Sequence, residues 1–82
     1  MARRRIVFLT RTECGLCDEA LPRVRQAARW LRRDLEVADI STIPEYEAKY
    51  HLRIPVLLDG RERVVGEGPM TKWQALAAVW RS

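Results

Sequence analysis

The segment TECGLCDEALP (residues 12–22) holds the only two cysteines of this 82-residue chain, Cys14 and Cys17, with two residues between them. It follows RIVFLT (residues 5–10), an apolar run rich in β-branched and aromatic residues that predicts a buried strand. It leads into a stretch, ending near Arg33, in which apolar residues recur every three or four positions and predict an amphipathic helix. The cysteine pair is therefore expected at a strand-to-helix turn.

The next two segments predict a second strand and a short second helix. LEVADI (residues 35–40) alternates apolar and polar residues, as a strand does. STIPEYEAKY follows it, with Ser41 or Thr42 as the expected N-cap and Pro44 in the first turn of a helix that ends near His51. A strand, a helix and a second strand of this size make parallel neighbours in a sheet.

The last third of the chain predicts a hairpin and a final helix. IPVLLD and ERVVGE flank Gly60 as two short strands. In the final helix Met70, Trp73, Ala77 and Trp80 recur at helical spacing and are expected to face the core, whereas Trp30 of the first helix is expected at a half-exposed boundary. The full order is βαβαββα, an α/β fold with a four-stranded mixed sheet flanked by helices.

Length and charge restrict the classes of function. Eighty-two residues are expected to form one domain, residues 1–82, with its chemistry near the surface. The net charge of +4 is mild, and its arginines read as a solvated helix face, so no nucleic-acid partner is expected. No segment approaches the ~18 apolar residues of a membrane span, so we expect a monomeric, cytoplasmic protein without a membrane partner. In that reducing compartment paired cysteines favour catalysis or metal binding.

The spacing of the cysteines fits three uses: a redox pair, half of a metal site, or a structural staple. The positive end of the helix dipole favours the thiolate of Cys14, the form that attacks disulfides, and Cys17 would then be the resolving thiol. Gly15 would allow a partner chain to approach closely. A closed zinc site needs four ligands, and beyond the cysteines the chain offers only His51 and carboxylates. A loop this short adds little stability as a disulfide, so the redox use is favoured.

With these features the sequence resembles the thioredoxin-fold oxidoreductases, most closely the small bacterial glutaredoxin-like proteins. Three features carry the resemblance: the Cys14–Cys17 pair after the first strand, Pro22 within the first helix, and RIPVLLDG (residues 53–60). The resemblance implies a thiol–disulfide oxidoreductase that uses both thiols, with a cis bond before Pro55. It also implies that the backbone of Ile54 meets the substrate beside the cysteines.

The resemblance leaves the electron donor open. Many glutaredoxins hold glutathione with a Gly-Gly pair followed by an acidic residue, whereas this chain has Gly66-Glu67-Gly68. Either glutathione or a reductase could supply electrons, and no bound cofactor or metal is expected. The substrate is expected to be a disulfide-containing protein or a low-molecular-weight thiol, bound by Leu16 and Arg11 together with Gly15, Ile54 and Pro55. The alternative is a thioredoxin-fold binding or redox-sensing module without turnover, whose thiols could share a metal site with a partner.

Overall fold

The structure is a computed structural model that describes residues 4–82, so Met1 to Arg3, including the first arginine of the basic run, lie outside the described residues. Its strands form one mixed sheet in the order β2-β1-β3-β4. The strands are β1 (Arg5–Thr10), β2 (Asp34–Asp39), β3 (Val56–Leu58) and β4 (Val64–Glu67). The helices are α1 (Gly15–Trp30), α2 (Pro44–Tyr50) and α3 (Lys72–Arg81). The predicted α/β architecture is confirmed.

The central strand β1 pairs in parallel with β2 and antiparallel with β3, and β3 pairs antiparallel with β4. Successive side chains of β1 point to opposite faces of the sheet, and both faces are covered. Ile6 and Phe8 pack in the cluster that α1 and α3 form, whereas Val7 and Leu9 pack with Tyr50 of α2 on the other face. This double burial explains why β1 is a nearly continuous apolar run.

Helix α1 ends three residues before the predicted limit of Arg33, because Arg32 takes a left-handed backbone conformation with φ of 56°. The backbone N–H of Arg33 donates to the carbonyl of Ala28 at 2.8 Å, the bond that closes a Schellman motif. Glycine usually occupies the left-handed position of this motif, so the sequence carried no signal for the stop.

The prediction for the buried face of α3 was right for Met70, which is 4% exposed, and wrong for Trp73, Ala77 and Trp80. Ala75, Ala78 and Val79 are buried, whereas Trp73 and Trp80 are 71% and 70% exposed. Small residues face the core because the helix lies close to the sheet: a Cβ built on Gly66 of β4 would lie 2.9 Å from the Cβ of Ala78. An indole ring could not fit into that contact.

The N-cap prediction for α2 was also wrong. Ser41 and Thr42 belong to a 3₁₀ turn, Ile40–Thr42, which Asp39 caps by accepting from the backbone N–H of Ser41 at 2.9 Å. The N-cap of α2 is Ile43, without a side-chain hydrogen bond, and Pro44 occupies the first helical turn. His51 follows the last residue of α2, as predicted.

The β3–β4 hairpin is organised by a buried carboxylate. Asp59 is 4% exposed and accepts hydrogen bonds from the backbone N–H groups of Arg61 and Arg63 at 2.8 and 2.9 Å. The guanidinium of Arg63 adds an ion pair at 2.8 Å. These three hydrogen bonds to the Asp59 carboxylate compensate for the cost of removing its charge from water.

None of the helices found within residues 4–82 combines the length and the apolar composition that a membrane crossing requires.

Candidate redox site at the start of helix α1

Cys14 is the N-cap of α1, four residues after β1 ends. Its backbone is extended, with φ of −110° and ψ of 99°, and its sulfur accepts a hydrogen bond from the backbone N–H of Cys17 at 3.2 Å. The carbonyl of Cys14 accepts from the N–H of Asp18 at 3.0 Å. The sulfur therefore occupies the position where an N-cap oxygen usually lies and faces the positive end of the helix.

The two cysteines form a disulfide, with 5.2 Å between their Cα atoms. They differ in exposure: Cys14 is partly exposed, whereas Cys17 is 1% exposed and belongs to the core cluster between the sheet and helices α1 and α3. Cys14 is therefore the more accessible of the two cysteines. The residues between the cysteines, Gly15 and Leu16, are both exposed, and a Cβ on Gly15 would meet no atom within 4 Å.

Ile54 and Pro55 lie on the loop that enters β3. The peptide bond between them is cis, Pro55 is buried, and its carbonyl accepts from the N–H of Gly68 at 2.8 Å. Ile54 is half-buried and packs against the same core cluster as Cys14. Three predicted site residues thus share that cluster, since Cys17 belongs to it and Cys14 and Ile54 pack against it, and Pro55 follows Ile54 in the chain.

The side chain of Arg11 pairs with a residue outside this group. Its guanidinium forms an ion pair with Glu47 of α2, and so ties the end of β1 to the opposite face of the sheet. Its positive charge therefore already has an acidic partner. Its predicted role in binding substrate stays a prediction, since its side chain is still 37% exposed.

Three carboxylates lie next to the cysteines in the chain, and all three are exposed: Glu13, Asp18 and Glu19. None of them forms an ion pair within residues 4–82. Their charges oppose a thiolate at Cys14, whereas the N–H of Cys17 and the helix dipole favour it. Glu13 has a left-handed backbone with φ of 61°, a conformation that costs roughly 1 kcal/mol for a residue other than glycine.

The Gly66-Glu67-Gly68 segment stands where many glutaredoxins carry their glutathione-binding Gly-Gly pair. Each of its three residues has a structural role here. Gly66 is needed for the contact with Ala78, and Gly68 has a φ of 73°. Glu67 accepts two hydrogen bonds from the guanidinium of Arg53, at 2.9 and 3.1 Å, which lower the pKa of Glu67 despite partial desolvation. The negative charge of Glu67 thus has a partner.

Sequence reasoning missed this Arg53–Glu67 pair because it joins the turn before β3 to the last residue of β4, which only the fold brings together. The guanidinium of Arg53 also stacks over the ring of Tyr50, 5.2 Å from its centroid. No sequence spacing signals such a contact. Within residues 4–82, no three His, Cys, Asp or Glu side chains come together as a metal site would require.

Comparisons with known proteins agree with this geometry. The family model described as glutaredoxin-like domain (DUF836) matches residues 5–78. The X-ray structure of Northeast Structural Genomics target protein XcR50 from X. campestris is 26% identical with a TM-score of 0.75, over 94% of this chain and 97% of that chain. The solution NMR structure of protein Ne2328 from Nitrosomonas europaea is 26% identical with a TM-score of 0.66, over 82% and 80%. No curated protein matches the chain significantly.

A third solved structure identifies the fold. Thioredoxin 1 from the thermophilic eubacterium Thermosipho africanus TCF52B superposes with a TM-score of 0.69 at 20% identity, over 94% of this chain and 91% of that chain. This likeness concerns the fold alone. The four-stranded mixed sheet with three helices is therefore a thioredoxin fold, as the sequence predicted.

Proposed function

The chain belongs to the glutaredoxin-like domain family, and on that basis we propose that it is a thiol–disulfide oxidoreductase that reduces disulfides with both Cys14 and Cys17. The observation that carries the proposal is the contrast between the two cysteines. Cys14 is partly exposed and its sulfur accepts the N–H of Cys17 at 3.2 Å, whereas Cys17 is 1% exposed. This contrast favours Cys14 as the nucleophile and Cys17 as the resolving thiol.

The proposed reaction starts from the dithiol form. The Cys14 thiolate attacks one sulfur of the substrate disulfide, so that a mixed disulfide forms and the other substrate sulfur leaves as a thiolate that takes a proton from water. Cys17, after losing its proton to water, attacks the sulfur of Cys14 and releases the second substrate thiol. The two electrons come from the two cysteines, which end as the Cys14–Cys17 disulfide.

Two features of the chain support this sequence of steps. The N–H of Cys17 and the start of α1 stabilise negative charge on the sulfur of Cys14 before it attacks the substrate disulfide. The 5.2 Å between the Cα atoms lets Cys17 reach that sulfur without a large movement of the backbone. We assign Ile54 and Pro55, with the exposed Gly15 and Leu16, to the surface that receives the substrate backbone, and Arg11 to its edge.

We propose that the substrate is a disulfide-containing protein or a low-molecular-weight disulfide, and that the protein acts as a cytoplasmic monomer without a bound cofactor. A reductase or glutathione must return two electrons to the disulfide after each cycle. Because Arg53 already pairs with Glu67, neither charge is freely available to bind the carboxylates or the amine of glutathione. This pairing supports a route that depends on both thiols rather than on a dedicated glutathione site.

The test is turnover of two substrates, an inter-chain disulfide of a protein and a mixed disulfide of glutathione with a small thiol. Wild type should reduce the protein disulfide catalytically, and Cys14→Ser should be inactive with both substrates. Cys17→Ser should lose turnover of the protein disulfide. If Cys17→Ser keeps most of its activity with glutathione as donor, the requirement for both thiols is wrong.

The same preparation separates the proposal from the alternative of a sensing or binding module. A module that only senses oxidation would form and lose its disulfide without sustained turnover. A module that shares a metal with a partner would carry metal when purified in the reduced state with that partner. Turnover by metal-free protein would exclude both alternatives.

A further inference from the structure

The largest apolar side chains on the surface of this protein lie along helices α1 and α3. Trp30 is 76% exposed and Trp73 is 71% exposed, although tryptophan is highly buried on average. Both rings line one groove of about 570 Å³ between the two helices. Trp80, which is 70% exposed on α3, is not part of the lining.

The charge of this Trp30–Trp73 groove is uniformly positive. Its lining includes the four cationic residues Arg23, Arg29, Arg32 and Lys72, and it includes no acidic residue. None of the four forms an ion pair with a carboxylate within residues 4–82. Elsewhere in residues 4–82, four arginines have acidic partners, Arg5, Arg11, Arg53 and Arg63, and six cationic residues spread over several elements do not: Arg4, Arg25, Arg33, Lys49, Arg61 and Arg81. The groove therefore concentrates cations that the fold leaves without counter-charges.

The floor of the groove is aliphatic, formed by Ala27 and Leu76, and Gln26 is the one neutral polar side chain in the lining. The walls are two helices that run in the same direction. Arg23 of α1 donates to the carbonyl of Met70 before α3 at 2.7 Å, and Arg33 after α1 donates to Ser82 after α3 at 3.0 Å. Two helices with an apolar floor between them make a surface on which a third helix can lie.

We propose that the Trp30–Trp73 groove is a docking site for an acidic amphipathic helix of a partner protein. The partner would place apolar side chains on the aliphatic floor between the two indole rings. Its carboxylates would meet the four cations at the rim. Exposed tryptophan and arginine together are the residue types that contribute most of the binding energy at protein interfaces.

A single-stranded nucleic acid also combines negative charge with stacking, but the groove suits it less. Bases would set their polar edges against Ala27 and Leu76, whose side chains offer no hydrogen-bonding group. The ammonium group of Lys72 lies 5.7 Å from the centroid of the Trp73 ring, and so occupies one stacking face. The carboxylates of an acidic helix, by contrast, can meet the arginines and Lys72 without stacking on either indole ring.

Docking in this groove would leave the redox pair free. The lining begins at Arg23, six residues or roughly 9 Å beyond Cys17 along the helix axis, and Trp30 lies 13 residues or roughly 20 Å beyond it. A partner held there need not cover Cys14. The groove would thus recruit this protein to an acidic partner, and it requires no change in the chemistry of the cysteines.

The test uses a panel of synthetic acidic amphipathic peptides of about 15 residues, with leucine or phenylalanine at helical spacing and glutamate elsewhere. Charge-reversed versions of the peptides and an oligothymidylate are the comparison ligands. Binding is measured by fluorescence anisotropy and mapped by amide chemical shifts. At least one acidic peptide should bind at micromolar concentration, with shifts confined to α1 and α3. Trp73→Ala and Arg29→Glu should each weaken its binding roughly tenfold or more.

Two matched variants serve as controls, because they change similarly exposed residues outside the lining. Trp80→Ala and Arg25→Glu should keep affinity within about twofold. All four variants should reduce a small model disulfide as wild type does. The proposal is wrong if no acidic peptide binds below millimolar concentration, or if the groove variants bind as wild type does. It is also wrong if the oligothymidylate binds the groove more tightly than every acidic peptide.

Discussion

Replacing Gly66 by alanine tests how closely α3 lies against the sheet. Gly66 is in β4, opposite Leu57 of β3, and a Cβ added there would lie 2.9 Å from the Cβ of Ala78 and 3.4 Å from the sulfur of Met70. The first distance is shorter than carbon atoms can accept without movement. The methionine side chain can adjust, but Ala78 is fixed to its helix. Helix α3 must therefore shift away from β4.

The expected cost follows from this forced shift. Inserting one methyl group into a well-packed core destabilises proteins by about 1–3 kcal/mol. For a domain of this size, each kcal/mol lowers the melting temperature by roughly 4–8 °C, so a decrease of about 5–20 °C is expected. Backbone strain adds no separate term, because Gly68 and not Gly66 has the left-handed φ of 73°.

Gly15→Ala is the matched control. Gly15 is the first residue of α1, and a Cβ there would meet nothing within 4 Å. The change should be neutral or stabilising by up to about 1 kcal/mol, since alanine has the higher helix propensity. Adding Ala78→Gly to Gly66→Ala removes the close contact, so the two changes should show a favourable coupling of about 1 kcal/mol or more.

The assay is urea unfolding of the oxidised proteins followed by far-UV circular dichroism, with disulfide reduction measured on the same samples. Gly66→Ala should lose stability while its activity per folded molecule stays near that of wild type. If Gly66→Ala were as stable as Gly15→Ala, the close contact between β4 and α3 would be wrong. If it were stable but inactive, Gly66 would act in substrate or glutathione binding and not in packing.

Three further predictions concern acid stability, helix termination and thiol reactivity. Burial raises the pKa of Asp59, but the hydrogen bonds from Arg63 and Arg61 outweigh this effect and leave the pKa below the ordinary 3.8. Wild type should therefore be about 1 kcal/mol more stable than Asp59→Asn near pH 7. Urea titrations should show this advantage disappear as the pH falls below about 4. Arg32→Gly should stabilise the protein by about 0.5–1 kcal/mol, because glycine adopts the left-handed conformation at the end of α1 at little cost. An unchanged or lower melting temperature in thermal unfolding would contradict this prediction. In the reduced protein, peptide mapping after brief alkylation near pH 7 should find Cys14 modified before Cys17, and the opposite order would reverse their assigned roles.

The sequence predicted the element order well because each element has its own periodicity. The double burial of β1 appears as a continuous apolar run, and the stripe of α1 appears as spacings of three and four. On α3 two stripes have helical spacing, one through Trp73 and Trp80 and one through Ala75 and Ala78. Hydrophobicity alone favours the tryptophans, but the close approach to Gly66 requires the alanines. Which stripe is buried depends on the distance between α3 and β4, and the periodicity of the sequence gives no information about that distance.

The same limit applies to the candidate site. The spacing of Cys14 and Cys17 after a strand was enough to place both at the start of α1. The Arg53–Glu67 pair could not be predicted, because it joins residues 14 positions apart, one in the turn before β3 and one at the end of β4. The early stop of α1 was missed because Arg32 holds a conformation that its side chain does not signal.

The most direct test of the central claim is the intact mass of Cys17→Ser after incubation with an oxidised protein substrate. The account predicts one covalent adduct per molecule, attached through Cys14, that is released by a reducing agent and that wild type does not accumulate. Cys14→Ser should form no such adduct, because Cys17 is buried. An adduct on Cys17 in Cys14→Ser, or no adduct on Cys14 in Cys17→Ser while wild type turns over, would contradict the proposed mechanism.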